Sequence, residues 1–252
     1  MKLPLSLIAC SLLAASSVFA VQGTTSPYTD AIGDIDPGIS TGGGTLDIVG
    51  MEVSNTLTDV IFKLTVNGNI STTDWGKFMI GIATGKSDGT PTGNGWGRPI
   101  NLSYDNDPFA SQLMGMNHWL GASVDGGGVA QLYSYNGTFW NGPDEDIGFI
   151  LSAGATSNIT YTVSLASLGL SLNDTFYFDA YSSGGGGSDS AVDSLANPNV
   201  AITSWGGPYT SYATTAEGPG LNSYQVVPEP STYLLSALGV LAIYFFARRR
   251  KA

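Results

Sequence analysis

The sequence predicts an all-β fold, a single antiparallel β-sandwich set between an N-terminal signal peptide and a C-terminal transmembrane helix. Three observations predict it. Apolar residues alternate with a period of two in short runs, 34 glycines and 12 prolines punctuate those runs, and residues 21–226 contain no long amphipathic helix. The 252-residue chain has 42% hydrophobic content, enough for one large β domain, so global disorder is excluded.

The clearest strand is Val60 to Val66, where Val60, Phe62, Leu64 and Val66 alternate with Ile61, Lys63 and Thr65 before the turn Asn67-Gly68-Asn69. Extended runs also cover Thr45 to Val53, Lys77 to Thr84, His118 to Val124, Val129 to Tyr135 and Ile147 to Leu151. Further runs are Asn158 to Leu165, Thr175 to Tyr181, Val200 to Ser204 and Ser223 to Val227. Asp125-Gly126-Gly127-Gly128 and Asn136-Gly137 supply the positive φ of hairpin turns. Leu165 to Leu170 is expected to form a single helical turn. The glycine-rich stretches Thr41 to Gly44 and Ser183 to Ser188 are expected to be loops too flexible to pack; with no Gly-Lys-Ser/Thr and no following helix, neither is a phosphate loop.

Both ends of the chain are addresses. Met1-Lys2, the apolar run Leu3 to Ala15 and the small residues up to Ala20 make residues 1–20 a secretory signal peptide, which implicates signal peptidase and the general secretion machinery. The run is too short for a spanning helix, which needs about 20 residues. Leu7-Ile8-Ala9-Cys10 imitates a lipoprotein box, yet apolar sequence continues past Cys10, the one cysteine in the chain. Signal removal therefore leaves no thiol, which excludes disulfides, thiolate metal sites and cysteine nucleophiles.

Residues 227–252 form the tail: Pro228-Glu229-Pro230, an apolar helix over residues 232–247, and the basic end Arg248, Arg249, Arg250 and Lys251. Sixteen helical residues span about 24 Å, short of the ~30 Å hydrocarbon core, a gap that bilayer thinning and arginine snorkelling close. The four cations stay on the cytoplasmic side and leave residues 21–226 outside. The prolines hold the residues before them extended and accessible.

These three parts in this order resemble a PEP-CTERM sorting signal, the tail found on exported proteins of Gram-negative, exopolysaccharide-producing bacteria. The resemblance implies an exosortase as partner, a membrane cysteine transpeptidase that cuts near the motif. It also implies a transient inner-membrane hold with the body in the periplasm, then transfer to the cell surface or extracellular matrix. A permanent, unprocessed anchor is the alternative.

Between the signals lie 19 acids and four bases, Lys63, Lys77, Lys86 and Arg98, a net charge of 4 − 19 = −15. Such a body repels nucleic acid and favours divalent cations. Asp30 to Asp36, Leu46-Asp47-Ile48 and Glu52-Val53-Ser54-Asn55 ahead of an alternating strand resemble the opening of jelly-roll domains related to family 9 carbohydrate-binding modules and DOMON-type domains. Ser167-Leu168-Gly169-Leu170 before Phe176-Tyr177-Phe178-Asp179 is similar to their later strands.

Catalysis has little support. His118 is the one histidine and sits in a strand pattern, where a structural imidazole is expected; no Gly-x-Ser-x-Gly surrounds any serine. A glycosidase needs two opposed carboxyls, and the nearest acids, Asp105 with Asp107 and Asp144-Glu145-Asp146, are turn residues. Calcium is the cation the acids suit, with Asp30, Asp34 and Asp36 before the turn Pro37-Gly38, and Asp47 on the first strand; Asp189 with Asp193 is a lesser option. Sugar binding rests on aromatic rings beside polar groups: Trp96 with Arg98 first, then Tyr135, Asn136 and Trp140. The leading expectation is a non-enzymatic surface or matrix protein with exopolysaccharide as candidate ligand. A polysaccharide hydrolase using loop carboxylates and a ligand-free structural protein are the alternatives.

Overall fold

The computed structural model describes residues 27–103, 115–125, 128–144, 147–212 and 220–228. The signal peptide, most of the sorting tail, and the acids Asp105, Asp107, Glu145 and Asp146 lie outside the described residues. Fourteen strands follow one another: β1 (Tyr28–Thr29), β2 (Ile48–Asn55), β3 (Asp59–Val66), β4 (Lys77–Ala83), β5 (Ile100–Ser103), β6 (His118–Ser123), β7 (Val129–Tyr135), β8 (Trp140–Asp144), β9 (Gly148–Ser152), β10 (Ser157–Ser164), β11 (Thr175–Ser183), β12 (Ala191–Ser194), β13 (Tyr209–Tyr212) and β14 (Asn222–Gln225). The protein is all-β, and two antiparallel sheets make the sandwich. One runs β1-β2-β3-β10-β9; the other runs β12-β11-β4-β6-β7-β8, with β14 beside the start of β11.

Alternation along the strands explains the packing. Every second residue of β3 is buried, and Phe62 meets Phe176 and Phe178 of the facing sheet, each at 5.9 Å between ring centroids. Tyr161 on β10 donates its hydroxyl to the Phe78 carbonyl at 2.9 Å, a hydrogen bond that crosses the sandwich. Each such apolar side chain contributes roughly 1.5–3 kcal/mol by leaving water.

The reverse face of the larger sheet carries an outer layer. Trp119 on β6 stacks on Tyr181 of β11 at 6.0 Å, and Tyr181 meets Tyr209 edge-on. Trp96 lies over Gly121, where a Cβ would sit 2.4 Å from the indole, so only glycine admits the ring. The layer is tied down through Asp179, fully buried on β11. Its carboxylate accepts from the Ser194 and Ser211 hydroxyls and from the Ala180 and Ala196 N–H groups. Burial pushes that carboxyl up to about 6.

Several local expectations change. Val200 to Ser204 is an irregular, bent segment rather than a strand, while β1, β5, β8, β12 and β13 escape the periodicity because they are short. The pair β5 and β13 is parallel, an exception to the antiparallel rule elsewhere. Leu165 to Leu170 closes as hydrogen-bonded turns. Each glycine-rich stretch is packed at particular residues, Gly42 and Gly44 in the first and Gly184 in the second, while Gly185 to Ser188 are exposed. A Cβ on Gly44 would lie 2.6 Å from the Asn67 carbonyl oxygen, and one on Gly184 would lie 2.3 Å from the Asp189 carboxylate. Glycine there permits close approach of chain to chain rather than looseness.

Candidate functional site

Arg98 and Trp96 come together as the sequence suggests. Arg98 follows a tight turn in which Asn94 accepts from the backbone N–H groups of Trp96 and Arg98 and donates to the Arg98 and Ile100 carbonyls. This places the guanidinium carbon 5.5 Å from the centre of the Trp96 ring. Both line a cavity of about 260 Å³ on the outer face of the larger sheet, together with Lys77, Ser123, Gln131 and Gly187.

Nothing in the sequence marks Lys77, Ser123 and Gln131 as neighbours of Trp96. Alternation puts each on the outward face of its strand, but pairing across β4, β6 and β7 brings them together: Lys77 opposes Ser123, and Gln131 opposes Gly121 beneath Trp96. Arg98 is 5% exposed. It donates to the Ser183 hydroxyl at 2.8 Å, the Asp189 carbonyl at 2.9 Å and the Gly184 carbonyl at 3.3 Å, all neutral acceptors. Burial lowers its affinity for the proton, partly offset by the Asp189 charge. The Asp189 carboxylate itself is turned to the Gly186 N–H.

Tyr135, Asn136 and Trp140 do not join this cavity. They form the β7–β8 hairpin, where the Tyr135 and Trp140 rings lie 5.5 Å apart and Asn136 accepts from the N–H groups of Thr138 and Phe139. Their visible work is to close the turn.

A second centre is anionic. One carboxylate oxygen from each of Asp30, Asp34 and Asp193 lies within 4.8 Å of the others. Oxygens bound to one calcium at about 2.4 Å lie at most about 4.8 Å apart, so the spacing suits a shared ion. Asp30 Oδ2 and both Asp34 oxygens are buried without a donor among the described residues. Burial, reinforced by repulsion from neighbouring acids, raises all three carboxyls above the usual range.

The expected ligands Asp36 and Asp47 are engaged elsewhere. Asp36 accepts from the Gly38 N–H at 2.7 Å and closes its own turn. Asp47 accepts from the Gly33 N–H with both oxygens at 3.1 Å and from the Asn67 amide, which fixes the loop carrying Asp34. Asp193 replaces them because β12 delivers it from the facing sheet, where it also accepts the Ile48 N–H at 2.6 Å.

His118 is 6% exposed, with burial lowering it to about 4, so its imidazole is neutral; Nδ1 lies 3.2 Å from the Ser134 hydroxyl.

The C-terminal end of the body is clamped. Asn55, wholly buried at the end of β2, donates to the Val227 carbonyl and accepts the Val227 N–H and the Tyr224 hydroxyl, at 2.8–3.0 Å. The next residue, Pro228, is exposed. Glu229, Pro230 and the basic residues Arg248 to Lys251 lie outside the described residues.

Among known families, residues 226–251 match the PEP-CTERM protein-sorting motif. No curated protein matches the chain, so the likeness of the body to carbohydrate-binding jelly rolls rests on its short sequence motifs. The chain carries a PEP-CTERM tail, which implies export, sorting at the membrane and an exosortase as processing partner.

Proposed function

We propose that this exported protein acts at the cell surface or in the extracellular matrix as a non-enzymatic carbohydrate-binding β-sandwich, with structural calcium at Asp30, Asp34 and Asp193. The cavity is the observation that carries the reading. It joins an aromatic ring, a guanidinium, an ammonium, an amide and a hydroxyl in a concave space, the mixture that packs against a sugar ring and hydrogen-bonds its hydroxyls.

The non-enzymatic reading is supported by His118, which is buried and neutral, and by a cavity without a lining carboxylate among the described residues. The tail motif at residues 226–251 supports an extracellular setting, where polysaccharide is at hand. The clamp at Asn55 holds Val227 to the body and leaves Pro228 exposed, which supports a separable tail that begins at the Pro228-Glu229-Pro230 motif.

Titrating the exported, processed protein with polysaccharide fractions of its host tests the proposal. Saturable binding that weakens at least tenfold, about 1.4 kcal/mol, in Gln131→Leu is the expected result. Absence of binding to every fraction by a folded protein would leave a structural matrix role, and release of reducing ends would promote the hydrolase.

A further inference from the structure

We infer that the Arg98 cavity takes the carboxylate of an acidic saccharide, a uronate-type ring with its acid group on the guanidinium. This rests on the carbohydrate-binding reading and narrows it to one charge class.

The four bases between the two terminal signals divide unequally. Lys63 pairs with Glu52 at 3.2 Å, Lys77 with Asp125 at 2.8 Å and Lys86 with Asp174 at 2.6 Å. Arg98 is the most buried of them and has no carboxylate within ion-pair distance among the described residues. A buried charge needs a counter-charge or its desolvation is left uncompensated. The neutral acceptors around Arg98 satisfy N–H groups without supplying one, and the Asp189 charge, beyond ion-pair distance, offsets its burial only in part.

Of the five guanidinium donors the described contacts use three, two on Nη1 and one on Nη2. Among the described residues Nε–H and one Nη2 N–H, on adjacent nitrogens of a side chain that lines the cavity, have no acceptor. Adjacent donors of this kind match the two oxygens of a carboxylate.

The other lining groups fit the rest of such a ring. Gln131 uses its amide oxygen to accept from the Trp96 indole at 3.0 Å and the Tyr133 hydroxyl at 3.4 Å. Its amide nitrogen has no acceptor among the described residues and serves a sugar hydroxyl. Lys77 Nζ adds a second positive charge, held on its other side by Asp125. The volume of about 260 Å³ lies just under the ~300–1,000 Å³ of pockets for drug-sized ligands, which suits one pyranose ring rather than a longer oligomer.

The test titrates the exported, processed protein with a glucuronate-containing disaccharide and with its carboxyl-reduced, neutral form, following tryptophan fluorescence. The acidic form is expected to bind at least tenfold more tightly. Arg98→Lys, which keeps the charge but not the fork, and Lys77→Met are each expected to shrink that preference several-fold. Gln131→Leu is expected to weaken both forms alike. Melting curves establish that each variant is folded. Equal affinity for both disaccharides, unchanged in Arg98→Lys, would remove the inference and leave the saccharide reading standing. Binding of neither disaccharide would remove both. Capture of inorganic sulfate or polyaspartate in their place would overturn the saccharide in favour of a general anion site.

Discussion

Two centres of opposite sign flank one hairpin. On the outer side of the β11–β12 connection, Arg98 holds a positive charge against the Ser183 hydroxyl and the Gly184 and Asp189 carbonyls. On the inner side, four residues further along, Asp193 meets Asp30 and Asp34. The first centre has its hydrogen bonds and only a partial offset from the Asp189 charge; in the second, Asp30 Oδ2 and both Asp34 oxygens are buried without a donor among the described residues. Arg98 is therefore a fastening whose desolvation a bound anion would offset, whereas ionising the acid cluster costs stability that a bound cation would offset. Opposite consequences follow on removing charge at each.

The largest expected effect is at the fastening. Arg98→Ala leaves a hydroxyl and two carbonyls without their charged donor, and stability is expected to fall by about 3 kcal/mol in denaturant titration. Asp193→Asn, by contrast, is expected to raise the melting temperature of the metal-free protein at alkaline pH, where the three acids are ionised and it removes one of the repelling charges. A fall in both variants would break the distinction.

Next in size is calcium. An ion at a hundred times its dissociation constant stabilises by about 2.7 kcal/mol, or roughly 5–10 °C for a body of this size. Calcium against chelator is expected to shift the wild type by this order and Asp193→Asn hardly at all.

A pH series sharpens the same contrast. The folded-state values of Asp30, Asp34 and Asp193 lie above their unfolded value, so the folded chain binds more protons than the unfolded chain between the two. Stability in chelator is therefore greatest in mild acid and falls as pH rises from about 4 through the folded values. Asp179 contributes in the same direction up to about 6. Calcium is expected to flatten the part of the slope above pH 6, since it stabilises the ionised acids; a slope unchanged by calcium would place the ion elsewhere.

The smallest effect serves as the control. Lys63→Ala removes a pair whose partners are both more than a third exposed, and a change under about 1 kcal/mol is expected in the same denaturant titration.

The sequence makes plain what depends on neighbours in the chain. The alternation of Val60, Phe62, Leu64 and Val66 announces β3 because strand geometry is local, and the spacing of Asp30 and Asp34 announces two of the three members of the acid cluster. What depends on pairing between distant strands stays hidden. Asp193 arrives on β12 and Lys77 and Gln131 on β4 and β7, and nothing in their own segments says that they meet Asp30 or Trp96. The parallel pair β5–β13 is invisible for the same reason. It is held by contacts such as the Tyr209 N–H to the Pro99 carbonyl and Ser211 to Asp179, which no local period records. Val200 to Ser204 misleads in the opposite sense, with apolar residues spaced like a strand: Ile202 is buried from an irregular segment while Val200 is 42% exposed.

The most direct test of the account is one grid of melting curves on the exported, processed protein. Its four conditions are chelator alone, calcium, chelator with glucuronate disaccharide, and both ligands together. Two separate upward shifts that add when both ligands are present are the predicted result, because the two charges are compensated by different groups. Identical melting temperatures in all four conditions would contradict it.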